Sequence, residues 1–301
     1  MLSPFDNRQG FIWYNGSFVA WTDATLHLLS HGLHYASCVF EGERVYDGVV
    51  FKLHEHTQRL HHSADVLGFS LPYDTETLHR ATAQLIKKQK ITNGYVRPVA
   101  WRGSEMMAIS AQQNRIHCAI AAWVWPSYFD PNLRKKGIRL QYATWRRPHP
   151  STAPTSTKAA GLYMICTLSK HHAEKNGYDD ALMLDHQGYI AESTGANIFF
   201  VIDDALHTPE PDCFLDGITR QCVIQLARQL NIPVLERKLK PEDIKNAQAA
   251  FLTGTAVEIT AVAEIDGLIF KGSPLTDRLI EAFNAHVAAY CTQHKNEQTA
   301  S

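Results

Sequence analysis

The sequence predicts an α/β (α+β) protein of two domains, and three observations carry that reading. The first half strings short apolar runs between turn dipeptides and adds two amphipathic helical stretches, while the second half alternates strand-like and helix-like segments. Between the halves, the run Pro126-Ser127-Tyr128-Phe129-Asp130-Pro131-Asn132-Leu133-Arg134-Lys135-Lys136 gathers prolines and charge and breaks both patterns. At 301 residues the chain is long enough for two modest domains. The expected division is an N-terminal smaller α/β domain at 1–127, an interdomain linker at 128–136, and a C-terminal larger α/β domain at 137–301. A ligand cleft is expected between the two domains, a common location for such sites.

The elements follow in order. Phe11–Tyr14 and Phe18–Trp21 read as strands around the turn Asn15-Gly16, and Glu43–Tyr46 and Val49–Phe51 as a hairpin around Asp47-Gly48. Leu53 to Leu67 is helical, with Leu60, Ala64 and Leu67 on one stripe. A second helix opens on Asp74 as N-cap, buries Leu78, Ala81 and Leu85, and ends by Asn93-Gly94. Tyr95–Arg102 and Ile116–Trp125 are β-rich. In the second half, Gly161–Asn176 is a helix closed by Gly177, and Ala181–Leu184 and Tyr189–Glu192 flank the turn His186-Gln187-Gly188. Gly217–Leu230 is a helix, Val234–Lys238 a strand, Pro241 the opening of a further helix, and Pro274–Gln293 the terminal helix. Lys295–Ser301 reads as a polar tail.

Composition excludes several classes of function. The hydrophobic fraction of 45% and charged fraction of 20% are those of an ordinary globular protein. A net charge of −1 leaves no electrostatic footprint for nucleic acid or an anionic membrane. The start lacks a basic segment followed by an apolar one, and no apolar run approaches the roughly 18–20 residues of a membrane span, so a cytoplasmic location is expected. The six cysteines, without a C-x-x-C pair, are read as reduced core thiols. The sixteen histidines show no H-E-x-x-H spacing, and no metal site is expected.

Chemistry concentrates in four ordered segments. Lys158 lies in Pro154-Thr155-Ser156-Thr157-Lys158-Ala159-Ala160-Gly161-Leu162-Tyr163, and Glu192 in Ala191-Glu192-Ser193-Thr194-Gly195-Ala196-Asn197. Leu215-Asp216-Gly217-Ile218-Thr219-Arg220 opens a helix, and Leu252-Thr253-Gly254-Thr255-Ala256 makes a Gly-Thr turn. One amine, one carboxylate and two sets of turn amides are the parts that a phosphate-bearing aldehyde cofactor requires. Taken singly each segment is ordinary; their order is what is specific.

That order resembles the fold-type IV aminotransferases, and among them the branched-chain amino-acid aminotransferases, from about Gly10 to about Phe270. The resemblance implies their two-domain fold, pyridoxal 5'-phosphate as cofactor, and transamination between L-leucine, L-isoleucine or L-valine and 2-oxoglutarate. It makes Lys158 the Schiff-base lysine and the acid–base catalyst, and Glu192 the acid at the pyridine nitrogen. Tyr163 would lie beside the phenolic oxygen, and Gly195 would permit close backbone approach. Arg59, pairing bidentately, the amides of Ile218 and Thr219, and the Thr255 hydroxyl would hold phosphate.

Substrate choice is read by the same resemblance. Arg97, assisted by Tyr35 and Tyr128, would bind the distal carboxylate of glutamate. Phe40, Gly42, Trp125 and Tyr163 would wall an aliphatic pocket, and Thr255, Ala256 and Tyr95 would hold the α-carboxylate. Two features depart from the family pattern: Arg102–Ser110 replaces a glycine-rich loop that reaches the neighbouring subunit, and Ala196 stands where many members carry an acid. Met107 and Ile109 would still supply apolar contact from that loop, in a homodimer or a multiple of one. D-amino-acid aminotransferases, (R)-selective amine transaminases and aminodeoxychorismate lyases share Lys158, Glu192 and the phosphate set, and remain open as alternatives. The expected partners are amino acids and 2-oxo acids, with neither nucleic acid nor membrane.

Overall fold

A computed structural model describes residues 4–125 and 136–299; Tyr128 and most of the expected linker lie outside them. The chain divides into two compact units. The first comprises Met1–Pro126, Thr157–Gly161 and Val287–Ser301, and the second Ser127–Ser156 and Leu162–His286. The Lys158 segment therefore groups with the N-terminal half, whereas sequence order places it in the C-terminal domain. Its backbone explains this. Ala159 bridges Val39, Phe40 N–H donates to the Lys158 carbonyl at 3.2 Å, and Lys158 N–H donates to Ser63 Oγ at 3.1 Å.

In the first unit, β1 (Phe11–Tyr14) and β2 (Ser17–Ala20) turn on Asn15 and Gly16, which both take positive φ. A short helix α1 (His31–Tyr35) precedes β3 (Cys38–Phe40), β4 (Glu43–Tyr46) and β5 (Val49–Val50). Helices α2 (Leu53–Val66) and α3 (Thr75–Lys88) follow, then the long strands β6 (Gly94–Arg102) and β7 (Ile116–Val124). Asp74 caps α3 by accepting from Thr77 N–H at 2.8 Å, as expected.

The antiparallel sheet runs β2-β1-β7-β6-β4-β5, and β3 also pairs with β6. One face packs Val39, Val45, Val96, Ala100 and Ile120 against Leu60, Ala64, Leu78 and Leu85 of the helices. The opposite face carries Phe40, Tyr95, Arg97 and Trp101, as the registers Phe40↔Val99 and Arg97↔Ala121 require.

The second unit holds β8 (Ile138–Tyr142), helix α4 (Met164–Lys175), β9 (Asp180–Leu184), β10 (Ile190–Ser193), β11 (Asn197–Ile202) and β12 (Ala205–Thr208). Helix α5 (Ile218–Gln229), β13 (Val234–Glu236), β14 (Ala249–Gly254), β15 (Glu258–Ile265) and β16 (Leu268–Ile269) come next. Helix α6 (Pro274–Thr299) closes the chain. The sheet runs β10-β9-β8-β15-β14-β11-β12-β13, and β10 also pairs with β11, so six of its strands form a closed ring. Ile138, Leu140, Leu182, Ile198, Leu252 and Val262 fill one apolar cluster there.

Three elements differ from the sequence reading. Pro241 opens hydrogen-bonded turns rather than a helix. The stretch before α4, Ala160–Tyr163, is a 3-10 turn. The polar tail is helical to Thr299 because its end, part of the first unit, has partners there. Tyr290 meets Phe51 edge-on at 5.0 Å, Lys295 pairs with Asp47 at 2.6 Å, and the Gln298 carboxamide bonds both backbone groups of Val50.

Candidate active site

The site residues of the first unit gather where β3 passes into β4. This edge is interrupted at Glu41-Gly42: Phe40 faces one side of the sheet, while Glu41 and Glu43 face α2. Gly42 is required by close approach, because a Cβ there would overlap the Tyr95 hydroxyl. Lys158 lies with Nζ 5.0 Å from the centre of the Phe40 ring, and the Arg97 guanidinium sits 4.8 Å from the same ring and 5.5 Å from Tyr95. Tyr95 in turn meets Trp125 at 5.0 Å. Phe40, Gly42, Tyr95, Arg97, Trp125 and Lys158 therefore come together as an aromatic and cationic group.

Electrostatics make Lys158 a reactive amine. Its side chain is half-buried, and desolvation is the main cause that pulls its pKa below the usual lysine value; Arg59 adds to this and Arg97 contributes, against Glu41 and Tyr95. Arg59 itself is fixed by Glu41, a carboxylate that sequence reasoning passed over. Nε meets Oε1 at 2.6 Å and Nη2 meets Oε2 at 2.9 Å. Burial would raise the Glu41 carboxyl, but Arg59 and His56 outweigh it and hold it well below the usual carboxylate range.

His56 Nδ1 lies 2.7 Å from Glu41 Oε2. Burial lowers the pKa of this imidazole, and its acidic neighbour only partly opposes that. The edge of Arg59 that carries Nε and Nη2 is thus engaged by Glu41. Local spacing does not reveal the pairing, because Glu41 and Arg59 lie 18 residues apart and meet only through the packing of strand against helix.

Tyr35, Met107 and Ile109 belong to the same unit and are exposed. Tyr35 is exposed and stacks on His31 at 4.5 Å; Ile109 is 85% exposed. The 103–109 loop is nevertheless braced. His31 Nε2 lies 2.8 Å from the Ala108 carbonyl, and Asn114 bonds the Gly103 carbonyl and both backbone groups of Met106.

In the second unit, Glu192, Asn197 and Thr253 form one row across β10, β11 and β14. All three are buried. Glu192 Oε1 lies 3.5 Å from Arg147 Nε, and Asn197 Nδ2 donates to Glu192 Oε2 at 3.3 Å. Arg147, another residue the sequence reading did not select, also donates to the Cys213 and Leu162 carbonyls. Its own pKa is raised: burial opposes this, and Glu192 heads the groups that overcome it.

Gly217 is the N-cap of α5, so Ile218 and Thr219 begin the helix and their amides lie among the four without an intrahelical acceptor. Such a helix start favours an anion. Arg220, fully buried, anchors this turn through Asp216 at 2.8 Å and Glu236 at 2.8 Å. Thr255 and Ala256 follow β14, and Tyr163 ends the 3-10 turn before α4.

The residues present fit a phosphate-bearing aldehyde cofactor. Thr253 Oγ1 is buried without a hydrogen-bond partner among the described residues. Among the described residues a Cβ at Gly195 would meet nothing within 4 Å, which leaves room for close approach. Taken separately, the first unit offers an amine of lowered pKa and the second an open helix start.

The chain resembles known proteins over most of its length. The family profile Amino-transferase class IV matches residues 38–265. The chain is 44% identical over 287 residues to a Rickettsia bellii protein named "Probable branched-chain-amino-acid aminotransferase", covering 94% of this chain and 98% of that one. The structure of a T.th. branched-chain amino acid aminotransferase with pyridoxamine 5'-phosphate superposes with a TM-score of 0.90 at 35% identity, covering 94% and 95% of the two chains. The same enzyme complexed with N-(5'-phosphopyridoxyl)-L-glutamate gives a TM-score of 0.89 at 34% identity, with the same coverage.

Proposed function

The chain belongs to the class IV amino-transferases, and from that premise we propose that it is a branched-chain amino-acid aminotransferase using pyridoxal 5'-phosphate. It exchanges the amino group of L-leucine, L-isoleucine or L-valine with 2-oxoglutarate, giving branched-chain 2-oxo acids and L-glutamate. The observation that carries the reading is Lys158, a half-buried amine of lowered pKa beside Arg59, Arg97 and the Phe40 ring. When bound, the cofactor supplies an electron-withdrawing ring that accepts the electron pair left as the substrate's α-proton departs.

The chain's own residues do the rest. Lys158 Nζ, unprotonated more readily than a free lysine, takes the α-proton and returns it. Glu192, flanked by Arg147 and Asn197, keeps a proton on the pyridine nitrogen. Tyr163 serves the phenolic oxygen. The Ile218 and Thr219 amides and the Thr255 hydroxyl hold phosphate, and Arg59 offers it the guanidinium edge opposite Glu41.

Phe40, Gly42 and Trp125 suit an aliphatic side chain, and Arg97 with Tyr35 and Tyr128 suits glutamate's distal carboxylate. Tyr95, Thr255 and Ala256 hold the α-carboxylate. Assembly as a homodimer, or a multiple of one, is part of the reading. It is supported by exposed Leu26, Leu28, Leu33, Tyr35, Met107 and Ile109, apolar groups that a second copy would cover. A cytoplasmic location goes with it; among the described residues no helix is long and apolar enough to cross a membrane.

The test is a transamination panel with 2-oxoglutarate as acceptor. L-leucine, L-isoleucine and L-valine are expected to yield glutamate. Turnover of D-alanine or (R)-1-phenylethylamine with none of L-leucine would overturn the assignment.

A further inference from the structure

We propose that Asn197 is a positioning residue that fixes the Glu192 carboxylate and the start of α5 to one another, so that one carboxamide sets both the ring end and the phosphate end of the cofactor site. This inference rests on the function proposed above. Asn197 is 4% exposed and makes three hydrogen bonds, each to a different part of the site. Nδ2 donates to Glu192 Oε2 at 3.3 Å and to the Leu215 carbonyl at 3.0 Å, and Oδ1 accepts from Gly217 N–H at 3.2 Å.

The chemistry of the partners fixes the orientation of the amide. Reversed, its oxygen would face a carboxylate and a carbonyl, and its NH₂ would face an N–H. Only a carboxamide of this length presents two donors on one side and an acceptor on the other. Aspartate keeps the acceptor for Gly217 but sets a second carboxylate against Glu192.

Gly217 supplies an independent observation. Its φ of −70° and ψ of 139° are open to any residue, so backbone conformation does not call for glycine. A Cβ there would instead overlap Asn197 Oδ1. Glycine at this helix start is explained by the approach of Asn197.

The bond is not an ordinary N-cap either. A capping side chain belongs to the N-cap residue and accepts from the second or third helical amide. Asn197 comes from β11 and accepts from the N-cap residue's own N–H, leaving the Ile218 and Thr219 amides to a ligand. The rigidity comes from the sheet, since Asn197 pairs with Glu192 on one side and Thr253 on the other.

The experiment separates the two ends. Apoenzyme is titrated with pyridoxal, which lacks the phosphate, with inorganic phosphate, and with pyridoxal 5'-phosphate, following cofactor absorbance and its pH dependence; phosphate is read by competition. Asn197→Asp is expected to weaken pyridoxal about tenfold or more while phosphate changes by less than about threefold. Asn197→Ala is expected to weaken both. Gly217→Ala, whose methyl displaces Oδ1, should give the reverse of the aspartate pattern, with phosphate falling more than pyridoxal.

A side chain that merely supports the fold would lower the melting temperature and move both ligands by the same factor in all three variants, and that result overturns the proposal. If Asn197→Asp does not fold, the Gly217→Ala split decides alone. Failure of the wild type to bind pyridoxal 5'-phosphate would overturn the functional reading as well; a normal wild type with unsplit variants overturns the role of Asn197 only.

Discussion

Replacing Glu41 with glutamine tests whether a buried carboxylate holds Arg59 in place. The side chain keeps its length, but one of two oxygens becomes an NH₂ group. Glu41 currently accepts from Arg59 Nε at 2.6 Å, Arg59 Nη2 at 2.9 Å and His56 Nδ1 at 2.7 Å. All three partners are donors, so the amide nitrogen must face one of them. Removing one member of a buried pair typically costs about 3–5 kcal/mol in stability. A charge-assisted bond contributes about 1.5–3 kcal/mol, so losing the orientation of Arg59 should weaken pyridoxal 5'-phosphate roughly 10–100-fold.

The pH dependence follows from the sign of the shift. Glu41 has a folded pKa below its unfolded value, so its stabilisation is fully present above about pH 4.3 and is lost as pH falls further. The deficit of Glu41→Gln should therefore be constant near neutrality and shrink only in acid. Denaturant unfolding from pH 3 to 8 and titration of apoenzyme with cofactor measure the two effects. An unfolding free energy within about 1 kcal/mol of wild type, together with an unchanged cofactor dissociation constant, would refute the reasoning.

Other expectations are briefer. Lys158→Ala should lose both turnover and the visible absorbance of bound cofactor, and turnover comparable to wild type would remove Lys158 from its role. Glu192→Gln should keep cofactor bound while lowering the rate about 10²-fold, or ~2.7 kcal/mol on the barrier; unchanged maximal rate with weaker cofactor binding would make the acid structural. Arg97→Ala should cost L-glutamate about 10²-fold in its half-reaction and L-leucine only about tenfold, since leucine leaves no carboxylate unpaired; equal losses would place Arg97 at the α-carboxylate. Glu43 is buried with Oε2 unpartnered among the described residues, and burial first and Glu41 next raise its folded pKa well above the unfolded value. Its native proton is released on unfolding, so stability falls as pH rises above about 4.3 by up to about 1.4 kcal/mol per unit; Glu43→Gln should gain on wild type between pH 5 and 8 in unfolding titrations, and a pH-independent difference would contradict this.

What the sequence disclosed depended on the range of the interactions involved. The Asp74 cap, the hairpin at Asp47-Gly48 and the apolar stripe of α2 are local, and each stands where periodicity and turn residues placed it. The ring closed by β10 and β11, and the return of the Lys158 segment to β3, are pairings between distant stretches that no local pattern encodes. The ordered motifs marked Lys158, Glu192 and the start of α5. Glu41, Arg147 and Asn197 escaped notice because each acts through a neighbour far off in sequence: Arg59 18 residues on, Glu192 45 residues on, and Gly217 20 residues on. A charged or amide residue forced into a buried position was the available signal, and it becomes informative only once burial is known.

The same contacts explain how a cationic cluster can persist around Lys158 without forcing the site apart. Arg59 and Arg97 both disfavour a protonated lysine, and burial disfavours it more strongly. Without compensation, Arg59 would be a largely buried charge with no counterion, which is costly. Glu41 supplies the counterion, yet by the same Coulombic rule it favours protonated Lys158 and so works against the amine's reactivity. The geometry moderates that conflict. Glu41 binds Arg59 bidentately and His56 as well, so its charge is engaged by nearer donors, and burial with Arg59 remains dominant at Lys158. Burial of His56 is part of the balance, since it disfavours a protonated imidazole, which would add another buried charge. The arrangement thus keeps Arg59 oriented at moderate cost to the basicity it controls, which is why Glu41→Gln is expected to harm cofactor binding and stability while leaving Lys158 more easily deprotonated.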